Sequence, residues 1–223
     1  MSKLTIYTYD WLPEFPRGFV RDLRARWVAE ETGRDYEIAT VPVHPKSDAH
    51  KAMQPFAQVP MIEDGDVSLF ETGAIVLHLA EGSALLPEAM RSEITQWVIA
   101  ALNSLEPMIS NWMTSQLSKD MPDIFGPPAS EELEAQFLKS MNARLAAMEK
   151  LLADDREWIA GDFSAADIIL VDVLRQAGDA TKGYPALTAY IERATARPAF
   201  KQAMADHMKH WEDADAAKAA QAG

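Results

Sequence analysis

The chain has 223 residues, 48% of them hydrophobic and 25% charged, an ordinary globular composition long enough for one large domain or two small ones. Its formal net charge of −13 repels nucleic acid and anionic lipid, and the lack of cysteine excludes disulfides, thiolate zinc sites and a cysteine nucleophile. No apolar run approaches the roughly 18 residues of a membrane span. The opening MSKLTIYTYDW lacks the basic-then-apolar pattern of a secretory leader, so a cytoplasmic protein is expected, without membrane or nucleic-acid partners.

Taken in chain order, KLTIYTY alternates and is rich in β-branched and aromatic residues, which predicts a first strand. A proline-containing loop, DWLPEFPRG, follows. In FVRDLRARWVAEETG, the residues Phe19, Val20, Leu23, Trp27 and Val28 share one helical face, and Gly33 stops the helix. DYEIATVPV is a second strand, and HPKSDAHKAMQPFA a loop with room for a helical turn. PMIED and VSLFE are two strands joined around Asp64-Gly65, a dipeptide that favours a hairpin. TGAIVLHLAEG is the next helix. The order β-α-β-(loop or helix)-β-β-α combines a parallel crossover with an antiparallel hairpin, giving a small mixed sheet covered by helices.

Beyond GSALLPEA no further strand is predicted. Ile94, Trp97, Val98, Leu102, Leu105, Met108 and Trp112 recur at helical spacing, with Pro107 expected to kink or break the helix. PDIFGPPAS reads as a loop. Leu133, Phe137, Met141, Leu145, Met148 and Leu152 recur at steps of three and four. SAADIILVDVLRQAG is almost continuously apolar and predicts a buried central helix. Ser164 and Asp167 at its start have capping-box spacing, a structural role. YPALTAYIERATARPAFKQAMADH supplies one or two closing helices. EDADAAKAAQAG is Ala-rich without an apolar face and is expected to fray. The division expected is an α/β domain at 1–81, a linker at 82–88, an all-helical domain at 89–210 and a frayed tail at 211–223.

One junction carries chemistry. Glu71 and Thr72 stand side by side where a strand hands over to a helix. Thr72 can cap that helix, whose free N–H groups attract a carboxylate, while Glu71 can accept from an ammonium. A ligand with both an α-amino and an α-carboxyl group satisfies the two at once. On the residues alone, a plain helix cap with Glu71 as its dipole partner also explains the pair. The five histidines, His44, His50, His78, His207 and His210, form no metal-ligand constellation; His207 and His210 lie three apart without a third ligand. With no Gly-rich phosphate loop and no nucleophile elbow either, neither a metal nor a nucleotide is expected.

Three stretches, in order along the chain, carry a resemblance. QPFAQVPMIEDG is similar to an Asn-Pro-x-Gly-Gln/Lys-Val-Pro stretch, FETGAIVLHLAE to Glu-Ser/Thr-x-Ala-Ile-x-x-Tyr-Leu, and WIAGDFSAADIILVDVL to Gly-x-x-Ser/Thr-x-Ala-Asp. Together with a sheet unit followed by helices, they make the chain resemble the cytosolic glutathione transferase family over nearly its whole length. The resemblance implies a thioredoxin-like N-terminal domain, β-α-β-α-β-β-α, and an all-α helical-bundle domain. It implies a homodimer, glutathione as co-substrate and a small hydrophobic electrophile, in detoxification. It also implies a cis bond before Pro60, which leaves the Val59 N–H and C=O turned outward to pair with an extended peptide. Gln58, Val59, Glu71 and Thr72 would bind glutathione, the last two its γ-glutamyl end.

Such transferases stabilise the glutathione thiolate with a hydrogen bond from a residue at the end of the first strand or the start of the first helix. Here RGFVRD puts Phe19, Val20 and Arg21 where a small hydroxyl is usual, a departure from the family pattern. The candidates are Tyr7, Thr8 and Tyr9; alternation sends both tyrosines to one face. Tyr9, nearer the C-terminal end of the strand, is favoured as catalytic, and Tyr7 fits equally a packing role. Arg17 and Arg21 can place positive charge near a thiolate or an anionic substrate, and Trp11, Phe15 and Trp112 can line an apolar pocket; solvated charge and core packing are the plainer alternatives. The activity expected is glutathione S-transferase. The alternatives are a glutathione-binding regulatory or interaction protein with little catalysis, and a glutathione-dependent isomerase or peroxidase.

Overall fold

A computed structural model describes residues 3–154 and 156–222, with side chains as far as residue 220. Strand β1 (Leu4–Tyr9) buries Leu4, Ile6 and Thr8 and leaves the alternate residues half-exposed, as a two-residue period requires. It runs parallel to β2 (Tyr36–Val41), with Leu4 opposite Tyr36 and Tyr9 opposite Val41. The crossover is α1 (Asp22–Thr32), buried from Asp22 to Ala29. Gly33 ends it in the left-handed conformation, φ 65°, with its N–H returned to the Ala29 and Glu30 carbonyls, a position suited to a residue without Cβ. The next segment contains a true helix, α2 (Asp48–Met53), capped by the Ser47 hydroxyl, which accepts from the His50 N–H.

Strand β3 (Met61–Asp64) pairs antiparallel with both β1 and β4 (Val67–Phe70), giving the order β2-β1-β3-β4. The turn falls on Gly65-Asp66, one residue later than the dipeptide rule places it. Gly65, at φ 62°, takes the first central position, where positive φ is needed. Helix α3 (Thr72–Ala80) follows at once. Tyr7 faces Met61, and Met61 faces Phe70. The C-terminal end of β1, the N-terminal end of β3 and the C-terminal end of β4 therefore finish on one side of the sheet, with neighbouring strands about 4.8 Å apart.

The chain divides into two compact units, Met1–Pro87 with Ala196–Gly223, and Glu88–Thr195. In the second, a short 3₁₀ turn at Glu88–Met90 leads into α4 (Arg91–Ala100) and α5 (Glu106–Asp120), joined through a π-helical segment, Ala101–Leu105. Pro107 does not break the run. It sits in the first turn of α5, where a missing N–H costs least, and the wide turn before it takes up the distortion. Part of PDIFGPPAS forms a single turn, α6 (Pro122–Phe125). Helix α7 (Glu131–Leu152) is capped by Ser130. Helix α8 (Ala165–Arg175) is buried from Ala165 to Leu174 and forms the centre of the unit; α9 (Pro185–Thr195) follows a 3₁₀ segment.

At the start of α8, Asp167 Oδ2 accepts from both the Ser164 N–H and hydroxyl, each at 2.8 Å. Its Oδ1 accepts from the Ile159 N–H at 3.0 Å and the Tyr190 hydroxyl at 2.6 Å. Burial raises the Asp167 carboxyl above its ordinary value, a shift that these four bonds oppose.

The terminal stretch corrects the expectation of a frayed tail. Helix α10 (Pro198–Ala222) runs through it and groups with the first unit, not the helical one. Ala203, His207 and Trp211 on α10 are fully buried, and Phe200 meets Trp27 of α1 edge-on at 4.7 Å. Asp22 accepts from Arg26 Nε at 2.8 Å and His207 Nδ1 at 3.2 Å, while Trp211 Nε1 donates to His207 Nε2 at 3.2 Å. His207 and His210 thus serve packing: His210 Nε2 donates to the Tyr9 carbonyl at 2.9 Å.

Candidate functional site

Of the residues singled out from sequence, Tyr9, Gln58, Val59, Pro60, Glu71 and Thr72 lie at the end of the sheet defined by the strand register. Tyr9 closes β1, Val59 and Pro60 lead into β3, and Glu71 leaves β4. Because Met61 pairs with Phe70, Pro60 and Glu71 flank the same rung, and by the β1–β3 register Tyr9 lies on the line of Val59. The Val59-Pro60 bond is cis. Val59 is partly exposed, and among the described residues its N–H and C=O have no hydrogen-bond partner. Gln58 is exposed beside it.

Glu71 occupies the N-cap position of α3 with φ 69° and ψ 118°, a conformation that L-residues rarely adopt. Its side chain is exposed and makes no cap bond. Thr72 does not cap the helix, contrary to expectation. It is the first helical residue, and its buried hydroxyl accepts from Arg24 Nη1 at 3.0 Å. The reason is burial. Arg24 is fully enclosed and its guanidinium must find acceptors, and the Thr72 oxygen is one of them. That bond uses a lone pair and leaves the hydroxyl hydrogen to be donated outward. Without a side-chain cap, the first-turn N–H groups of α3 keep their positive end available.

The two tyrosines separate clearly. Tyr7 donates to Glu63 at 2.7 Å, and that bond, with burial and the Glu63 charge, pushes its phenol up to about 12. Its hydrogen is committed. Tyr9 is different: Lys46 donates to its oxygen at 3.2 Å, with the ammonium 4.5 Å from the ring centroid. The Tyr9 hydrogen is therefore left for another acceptor. Lys46, which the sequence did not single out, is thus the neighbour that engages Tyr9. The signal was its place just after β2, whose C-terminal end lies beside that of the parallel strand β1.

Trp11 and Arg17 come together, but around the last helix. Asp215 of α10 accepts from Trp11 Nε1 at 2.8 Å and from Arg17 Nη1 and Nη2 at 2.5 and 2.7 Å. These bonds hold the Asp215 carboxyl down to about 2 and raise the Arg17 guanidinium. Lys218 sits over the Trp11 ring at 3.1 Å, and Arg17 also donates to the Leu12 carbonyl. Both residues are thus engaged in holding the loop after β1. Arg21, partly exposed, immediately precedes α1, and Phe15 is exposed in the loop. Trp112 lies half-buried on α5 in the other unit, and Ser164 and Asp167, both buried at the start of α8, belong to that unit too.

Comparison with known proteins fits this geometry. Residues 16–81 match the model of the glutathione S-transferase N-terminal domain, and residues 124–207 that of a glutathione S-transferase C-terminal domain. The chain is 32% identical over 198 residues to glutathione S-transferase 3 of Zea mays, covering 82% of this chain and 88% of the relative. In fold it resembles a crystal structure of a glutathione transferase from Pseudomonas putida with one glutathione disulfide bound per subunit, at a TM-score of 0.75 and 20% identity, covering 91% of each chain. It also resembles Ure2p in complex with glutathione, at a TM-score of 0.74 and 19% identity, covering 91% of this chain and 93% of that one.

Proposed function

Because the chain belongs to the glutathione S-transferase family, we propose that it is a glutathione transferase, activating the thiol of glutathione for attack on a small hydrophobic electrophile. The observation that carries this reading is the gathering, at one end of the sheet, of the Val59 backbone, unpartnered among the described residues, the Glu71-Thr72 helix start and the Tyr9 hydroxyl. An extended tripeptide adds to Val59 as a further strand. Glu71 takes its ammonium. The Thr72 hydroxyl and the first turn of α3 take the neighbouring carboxylate. Gln58 borders the same peptide. Tyr9, whose oxygen already accepts from Lys46, donates its hydrogen to the thiolate, lowering the cost of ionising the thiol. The same reading makes the protein a cytoplasmic homodimer. Phe56, 68% exposed in the loop after α2, is an apolar group that a second copy can cover.

The test is conjugation of a generic aryl halide, with the pKa of the bound thiol followed by ultraviolet difference, in the wild type and Tyr9→Phe. Tyr9→Phe is expected to raise that pKa by about one unit or more and slow conjugation at least about tenfold. Unchanged values would remove Tyr9 from the role. A second reading, a glutathione-binding interaction protein with little catalysis, is favoured by Phe19, Val20 and Arg21, which bring no small hydroxyl to the entry of α1. Calorimetric binding of glutathione without turnover of aryl halides, hydroperoxides or isomerisable substrates would select it.

A further inference from the structure

A buried histidine stands behind the peptide-binding loop. His50, on α2, is 1% exposed, and its Nε2 lies 3.0 Å from the Gln58 carbonyl oxygen. A carbonyl only accepts, so Nε2 carries the hydrogen and donates. The ring is locked by its own backbone: the His50 N–H donates to the Ser47 hydroxyl at 3.1 Å, and the His50 carbonyl accepts from Gln54 N–H at 2.9 Å. The Gln54 carbonyl in turn accepts from Ala57 N–H at 2.8 Å, which closes the loop leading to Gln58.

The Gln58 carbonyl belongs to the same peptide plane as the Val59 N–H, and that peptide bond is trans. In a trans peptide the C=O and N–H point in opposite directions. A donor that grips the oxygen from inside therefore sets the direction in which the N–H leaves on the other side. We propose that His50 is a positioning residue for the tripeptide: by anchoring the Gln58 carbonyl it aims the Val59 N–H at the ligand backbone. This rests on the reading of Val59 as a glutathione-binding residue. His50 touches neither the ligand nor the reacting sulfur; it acts through one peptide plane. Its other ring nitrogen, Nδ1, is buried without a partner among the described residues, so this ring makes a single side-chain bond, the one to Gln58.

Three proteins test it: wild type, His50→Leu, which fills the space without a donor, and His50→Gln, whose amide nitrogen falls near the position of Nε2. Each is titrated with glutathione and with γ-glutamyl methylamide, a probe that reaches Glu71 and Thr72 but ends before Val59. The Val59 amide is followed by ¹H–¹⁵N correlation. In His50→Leu, glutathione is expected to bind about fivefold more weakly, with KM raised and kcat kept, while the short probe binds as before. His50→Gln restores most of the affinity and the Val59 shift. Equal loss for both probes would mean general damage to the fold and overturn the proposal, as would glutathione affinity in His50→Leu within twofold of wild type. Failure of the wild type itself to bind glutathione would instead sink the functional reading on which this rests.

Discussion

Replacing Glu71 by glycine should make the protein more stable and a poorer binder of glutathione. At φ 69° and ψ 118° the residue holds a conformation that costs an L-residue about 1–3 kcal/mol. Glycine occupies it freely but loses roughly 0.5–1 kcal/mol of extra chain entropy on folding. The exposed carboxylate makes no hydrogen bond or ion pair among the described residues, so little else is lost with it. The net gain is about 0.5–2 kcal/mol, or roughly 1–8 °C in Tm for a chain of this size. Removing a carboxylate that pairs with an ammonium costs about 1.5–3 kcal/mol of binding, a tenfold or greater loss. Glu71→Ala separates the two effects, because it keeps the strained Cβ and loses only the charge: its Tm stays near wild type while its affinity falls like that of Glu71→Gly. Scanning calorimetry and glutathione titration of the three proteins decide the matter. If Glu71→Gly melts no higher than Glu71→Ala, the strain is not there. If either variant binds glutathione as wild type does, the carboxylate does not meet the ligand.

Tyr7→Phe should leave conjugation within about twofold of wild type, in contrast to Tyr9→Phe, because the Tyr7 hydrogen is held by Glu63; a large loss of activity would reverse the assignment. Ala57 sits at φ 51° where the family-like motif has glycine, and Ala57→Gly should stabilise by up to about 1 kcal/mol, read as a higher urea midpoint at unchanged slope. Asp167→Ala should cost about 3 kcal/mol or more, since it strands the Ser164, Ile159 and Tyr190 donors in the core. Burial raises the folded Asp167 carboxyl above its ordinary value of 3.8, so its titration contributes stability that is full below that value and is lost as pH rises through the raised one. Denaturant unfolding of wild type against Asp167→Asn should show this slope in the difference between the two, and a difference that grows with pH would contradict it.

Much of the sheet is legible because its signals are local. KLTIYTY alternates with a period of two, Gly33 ends α1, and a glycine marks the β3–β4 turn, so the succession of elements along the chain and the hairpin follow from the residues themselves. The capping box of α8 is legible for the same reason: Ser164 and Asp167 need only each other. Expectations failed where a distant partner decides. EDADAAKAAQAG has no apolar stripe, yet it continues α10, and Asp215 within it reaches Trp11 and Arg17 some two hundred positions earlier. Thr72 has the chemistry of a cap, but a buried arginine from α1 claims its oxygen. Lys46 matters only once β2 is known to lie parallel beside β1. Nothing in the identity of Glu71 announces a positive φ; an acid beside a hydroxyl at a strand end is a reason to look there, and the backbone conformation is a separate fact.

These misses share a direction. Secondary structure is chosen by period and by caps, both of which act within about four residues. The site is chosen by where strands stop. Tyr9, Val59 and Glu71 are brought to one end of the sheet because β1, β3 and β4 terminate there, and the register that does so is set by the apolar pairing of Ile6 with Ile62 and Ile62 with Leu69. Slipping either strand by one residue would turn its own buried isoleucine, Ile6 of β1 or Ile62 of β3, to the opposite face and break their pairing. The core thus fixes the alignment of the strand ends to within one residue. The buried groups behind the loops, Arg24 on Thr72 and His50 on Gln58, then orient individual hydroxyl and peptide groups within it. A ligand that reads backbone direction, as an added strand does, depends on both levels, which is why side chains that never touch it belong to its recognition.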